Sequence, residues 1–221
     1  TTCEIKVTWL APNGVPEGYV PFAHFCDAEG EIVFQGRVSF IEGSSAEGEY
    51  QSVIRASLPD AIKPGTELEL RVGLFRPGDG RRLLLSGPDD GQSRIRLGKL
   101  TVSADRSLSW VGLPDEIDQL MLRKNSEGRE IDFGGVITAQ GLRVTREDRG
   151  IRVMALPFED RATTAKIIWK KLPWRLPPAR RIEYRDLDGR VVETEAVSGD
   201  GSLVSISIVP PAVDCRIVTE Q

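Results

Sequence analysis

Apolar residues recur at every second position along most of this chain, in short runs broken by Gly, Pro, Asp and Asn. That period places alternate side chains on opposite faces of an extended strand. In EIKVTWLAP, Ile5, Val7 and Trp9 share one face, and Lys6 and Thr8 the other. YVPFAHFC, EIVFQGRVSFI, YQSVIRASL and ELELRVGLFR carry the pattern on, the last alternating Leu68, Leu70, Val72 and Leu74. RRLLLSG and RIRLGKLTVS read as two further strands. The connections NGVPEG, DAEG, PGDG and PDDGQS are turn chemistry, rich in residues that accept positive φ or bond their own backbone. GSSAEGEYQ reads as a loop, and Gly36 inside the third run marks an expected bulge.

After residue 126 the alternation resumes in REIDFGGVITAQG, LRVTRED, GIRVMALP, TAKIIWKKLP, RRIEYRDLDGRVVETEAVS, SLVSISIVP and CRIVTE. Between the two sets lies SADRSLSWVGLPD, a linker candidate, and then PDEIDQLMLRKN. The latter has acids early and bases late, with Ile117, Leu120, Met121 and Leu122 giving a partial apolar face, so it predicts one short helix or an irregular connector. The expected organisation is all-β: two β-sandwich domains, immunoglobulin-like or jelly-roll-like, at 1–105 and 126–221, joined by a linker over 106–125. HFCDAEGEIVFQG in the first half and EYRDLDGRVVETE in the second echo one another, each an aromatic strand, an acid-x-x-Gly turn and a β-branched pair.

The 221 residues suit two domains of roughly 100 residues each. With 40% hydrophobic and 28% charged residues, the chain has the composition of a folded protein rather than a disordered one. A net charge of -4 offers no basic field for nucleic acid, and no apolar run is long enough to insert in a membrane as a helix. The chain opens Thr1-Thr2-Cys3 rather than on methionine, which reads as a processed start or a piece of a longer protein.

His24 is the only histidine, and it shares a strand face with Cys26. If the first two strands pair as a hairpin, Cys3 falls near Cys26. A Cys3–Cys26 disulfide and buried free thiols are then both open. A zinc site from Cys3, His24, Cys26 and Cys215 follows no finger or ribbon spacing, so no metal is expected. The flanking Phe22 and Phe25 favour His24 as a packing residue over a general base. Most carboxylates, among them Asp27, Glu29, Asp79, Asp89, Asp90, Asp148, Asp186 and Asp188, sit in turns where backbone hydrogen bonding accounts for them. DLDG and PDDG lack the glutamate that completes a calcium loop, and no Gly-rich stretch leads into a phosphate-binding helix, so no cofactor is expected. Trp9 and Trp169 lie in strands. Trp174, in the Pro-rich KKLPWRLPP, and Trp110, in the linker, are the ligand-platform candidates.

Two segments carry a resemblance. Phe22, His24, Phe25, Asp27 and Gly30, with Gly73, Leu74, Phe75, Arg82 and Leu83, resemble extracytoplasmic β-sandwich modules of bacterial envelope proteins. Some of those modules are appended to membrane glycosyltransferases, and others occur in carbohydrate-active secreted proteins. Asn125, Asp132, Phe133, Gly134 and Gly141 resemble the entry to a further sandwich in bacterial glycosidase-like proteins. The resemblance implies a non-catalytic accessory region facing the periplasm, the cell surface or the medium. The expected partner is a glycan or a neighbouring envelope-protein domain. The alternatives are a purely structural or protein-interaction module and a glycoside hydrolase with a carboxylate pair across a cleft.

Overall fold

The computed structural model describes residues 2–11, 13–41, 48–114, 117–124, 127–157 and 161–219. Asn125 and residues 43–47 of the expected GSSAEGEYQ loop lie outside them. The chain is all-β: among the described residues the only helical element is a single 3-10 turn at Trp169–Lys171. It divides into two compact units, one of residues 1–85 and 90–115, the other of 86–89 and 116–221.

The first unit contains β1 (Thr2–Leu10), β2 (Val20–Cys26), β3 (Ile32–Phe40), β4 (Glu49–Ser57), β5 (Glu67–Phe75), β6 (Ile95–Val102) and β7 (Leu108–Gly112). These form one continuous antiparallel sheet, in the order β1-β4-β3-β2-β5-β6-β7. β3 joins its halves: Ile32–Gly36 pair with β2, and Arg37–Phe40 with β4. Gly36 sits where the strand changes partner, and a Cβ there would meet the Ile54 side chain at 2.7 Å. Its bare backbone lets β3 lie close against β4. Val7, Phe25, Ile54, Leu68, Leu70, Val72, Leu100 and Val102 make the core on one face of this sheet. Each large apolar side chain withdrawn there stabilises the fold by roughly 1.5–3 kcal/mol.

The second unit contains β8 (Gln119–Leu122), β9 (Ile131–Asp132), β10 (Val136–Thr138), β11 (Leu142–Glu147), β12 (Gly150–Ala155), β13 (Thr163–Ile168), β14 (Ala179–Arg185), β15 (Val191–Ala196), β16 (Leu203–Ile208) and β17 (Asp214–Thr219). A four-stranded sheet runs β16-β13-β10-β9 and a six-stranded one β15-β14-β17-β12-β11-β8. Ile167, Val204 and Ile206 of the first share one hydrophobic cluster with Val144, Ile151, Ile182 and Ile217 of the second.

Several expectations need correcting. The segment expected as a helix contains the strand β8 at Gln119–Leu122, paired with β11 from Leu142 to Thr145, while 115, 116 and 125 lie outside the described residues. The expected linker contains β7, which belongs to the first sheet. RRLLLSG is not a strand. It contributes two isolated bridges, one of them Phe75–Arg82, and is part of a long connection, 76–94, between β5 and β6. Residues 86–89 of that connection count with the second unit, where Gly87 bridges Met121 and Ser86 Oγ accepts from the Arg123 N–H.

Candidate functional site

Along β2, Ala23 and Phe25 enter the core, so Phe22, His24 and Cys26 lie on the opposite face of the sheet. The adjacent register sets Gln35 of β3, His24, Arg71 of β5 and Arg96 of β6 in one row. Such a face would ordinarily be wet. Here the two legs of the 76–94 connection that belong to this unit cover it, and His24, Cys26, Arg71 and Arg94 are all buried.

Asp90 is the clasp. Its Oδ2 accepts from Arg71 at 2.8 Å and from Arg94 Nε at 2.6 Å, and its Oδ1 takes the Gln92 N–H at 2.9 Å. Glu69 holds the other side of Arg71 at 2.6 Å and receives both Nε and a terminal nitrogen of Arg96, at 2.9 and 2.8 Å. Arg94 also reaches the Gly30 carbonyl at 3.3 Å and Cys26 Sγ at 3.7 Å. On the nearer leg, the Arg82 guanidinium lies 5.2 Å from the centre of the Phe22 ring, which packs 4.7 Å from the His24 ring.

Burial alone would lower the Arg71 pKa; the Glu69 hydrogen bond and charge, then Asp90, overcome it and raise it. Burial likewise works to raise the Asp90 pKa, but the Gln92 amide and Arg94 hold it below the ordinary value. For His24 only the Asp90 charge opposes the shift, and it is outweighed. Burial, with Arg94 and then Arg82 adding like charge, brings its pKa down to about 4, and its buried Nδ1 has no hydrogen-bond partner. Burial raises the Cys26 thiol despite the nearby arginines, so it is a poor nucleophile. This constellation fastens a connection; it does not activate a reacting group.

The second unit has the open counterpart. On the outer face of its six-stranded sheet lies a depression of about 570 Å³, lined by Glu147–Arg149 from the β11–β12 turn, Arg181 and Glu183 of β14, and Arg216 and Val218 of β17. Arg216 Nε donates to Glu147, and Arg181 Nε to Glu183 at 2.7 Å. The lining thus has three arginines and three carboxylates, two of each joined as Arg216–Glu147 and Arg181–Glu183. A glycosidase needs one carboxyl to give a proton and another to act as base or nucleophile. Glu147 and Glu183 each accept a hydrogen bond from an arginine here.

The sequence candidates fare differently. Trp174 is no surface platform: it is 6% exposed, packed in the second core, with Nε1 donating to the Ile117 carbonyl. The short turn at Trp169–Lys171 and the prolines after it fold the segment back inward. Trp110 is 52% exposed on the edge strand β7, beside exposed Val111 and Leu113, and its ring lies so close over Gly98 that a Cβ there would meet it at 2.0 Å. The Cys3–Cys26 disulfide does not form, and all three cysteines are free. β1 pairs with β4, not β2, which places Cys3 three strands from Cys26, or roughly 14 Å at the usual spacing. A disulfide tolerates about 7 Å between Cα atoms. No group of three or more His, Cys, Asp or Glu side chains among the described residues is arranged to hold a metal. Sequence reasoning missed Arg71, Asp90 and Arg94; the available signal was the row of charged residues interleaved with Leu70 and Val72 on a strand whose two faces are both covered.

No helix among the described residues is long and apolar enough to cross a membrane. No family model matches the chain, and no curated protein or solved structure matches it significantly.

Proposed function

We propose that the chain is a non-catalytic, extracytoplasmic pair of β-sandwich-type modules that binds carbohydrate, or supports a carbohydrate-active neighbour, through the open depression of the second unit. The observation that carries the reading is the lining itself. Paired guanidinium and carboxylate groups present fixed donors and acceptors at near-zero net charge, the complement of a polyhydroxylated, neutral ligand. The volume is in the usual range for a small-ligand site, and the resemblance of the Phe22–Gly30 and Gly73–Leu83 segments to envelope modules points to the same ligand class. Calorimetry against a panel of neutral and acidic oligosaccharides is the test. Binding that Arg216→Ala weakens at least tenfold supports the reading. No binding across the panel, or binding indifferent to Arg216→Ala and Arg181→Ala, overturns it.

A second reading, a docking module for a neighbouring envelope-protein domain, is favoured by exposed Trp110 and Val111 on an edge strand, with exposed Leu113 just beyond it. Under that reading, replacing Trp110 and Leu113 with Ser abolishes the association and leaves glycan binding unchanged.

A further inference from the structure

The arginines near His24 are committed to the 76–94 connection, while the imidazole Nδ1 is buried with no hydrogen-bond partner. Arg71 faces it from β5, Gln35 from β3, and Arg82, Asp90 and Arg94 from the connection, with Phe22 and Cys26 on its own strand and Glu69 next along β5. Arg82, Arg94 and Arg71 outnumber Asp90 among its nearest charges, and Asp90 has both oxygens engaged. A proton arriving at Nδ1 would find no acceptor there.

We infer that His24 makes the cover over the outer face of the first sheet an acid-releasable clasp: neutral imidazole permits the closed arrangement, and imidazolium drives the Arg82–Arg94 legs off the sheet. The signal is isolated, because His24 is the chain's only histidine and no other side chain of ordinary pKa titrates between about pH 5 and 8. With the cover closed the imidazole titrates at about 4, and with it open at the ordinary value of 6.5. The open state therefore takes up the proton first as pH falls. Opening becomes easier from about pH 6.5 downward and levels off below about 4. What opening exposes is Cys26, 0% exposed beneath Arg94.

Labelling with 4,4'-dithiodipyridine, an acid-tolerant thiol reagent, reads this directly. Rates at each thiol are assigned by peptide mass spectrometry and divided by those of the urea-unfolded chain at the same pH. Cys215, 0% exposed in the other core, reports global unfolding. We expect normalised labelling of Cys26 to rise about twenty-fold from pH 7 to pH 5 and to stay well above that of Cys215 at every pH. In His24→Gln the Cys26 rate, whether faster or slower overall, loses its pH dependence. The His24 ring resonances of the intact protein give a second readout and titrate near 4. A flat Cys26 profile, Cys26 labelling no faster than Cys215, a His24→Gln variant that keeps the pH dependence, or a ring titrating near 6.5 would each overturn the inference.

Discussion

In each unit an Asp-x-x-Gly turn joins a long strand to its neighbour, and the aspartate carboxylate takes the backbone N–H four residues on: Glu31 N to Asp27 Oδ1 at 2.8 Å, Arg190 N to Asp186 Oδ1 at 2.9 Å. Both turns close with the glycine N–H on the aspartate carbonyl, at 3.1 and 3.0 Å. Both glycines have positive φ, +87° at Gly30 and +77° at Gly189. Both hairpins shift register next to the turn, between Phe25 and Cys26 and between Tyr184 and Arg185. The likeness extends to the outer row, which reads Gln35, His24, Arg71, Arg96 in one sheet and Thr194, Glu183, Arg216, Arg152 in the other.

The outcomes diverge because of what lies on top. In the first hairpin Phe25 stacks on Phe34 at 4.4 Å, and a connection seals the opposite face. In the second, β15 is exposed along its whole length and Leu187 at the turn is 84% exposed. Tyr184, at the place of Phe25, donates to Glu195 at 3.1 Å and accepts from the Ser207 N–H at 3.3 Å. Turn chemistry thus fixes the hairpin, while the cover decides whether the charged row beside it is buried or stays exposed.

The largest effect that separates the two rows is on pH. Burial, Arg94 and Arg82 hold His24 at about 4 in the folded state against an unfolded value of 6.5. The unfolded chain therefore binds more protons in between, and stability falls as pH drops through that window. The full contribution is present above 6.5 and spent by about 4. The loss is roughly 3 kcal/mol, measured by urea denaturation across the window, and His24→Gln flattens it.

A smaller effect distinguishes the turns themselves. Gly189→Ala meets nothing within 4 Å and costs only the left-handed backbone penalty, about 1 kcal/mol. Gly30→Ala places a Cβ 2.7 Å from Arg71, a guanidinium pinned by Glu69 and Asp90, and costs about 1–3 kcal/mol more. Thermal melts that rank the two variants equally would remove the cover from the explanation. Smallest is Tyr184→Phe, which gives up one bridging hydroxyl and costs about 1 kcal/mol by denaturant titration.

The strands were readable because alternation is local: Leu68, Leu70 and Val72 enter the core of β5 as their spacing requires. So was the echo between the two hairpins, since Asp27 to Gly30 and Asp186 to Gly189 are contiguous turn sequences. What failed was non-local. A Cys3–Cys26 disulfide, one of the two options open for these thiols, requires consecutive strands to be neighbours, but β1 finds β4, some fifty positions away. PDEIDQLMLRKN has the charge order of a helix, yet its Gln119–Leu122 segment is taken up by β11 as a strand, tertiary pairing overriding local preference. Trp174 lies in a stretch with no period to reveal its burial. Asp90 and Arg94 looked like ordinary turn and strand charges, because only the fold brings the 76–94 connection over Arg71. Nothing in the local pattern marks the depression of the second unit, whose lining comes from three separated strands.

The central claim, that equivalent arginines are structural in one unit and free to serve a surface in the other, is tested most directly by urea denaturation of Arg71→Met and Arg216→Met side by side. Arg71 is 11% exposed at its side chain and Arg216 is 41% exposed. We predict a loss of about 2–3 kcal/mol for Arg71→Met, which removes one of the two arginines holding each of Asp90 and Glu69, and of about 1 kcal/mol or less for Arg216→Met. Equal losses, or the larger loss at Arg216, would contradict the account.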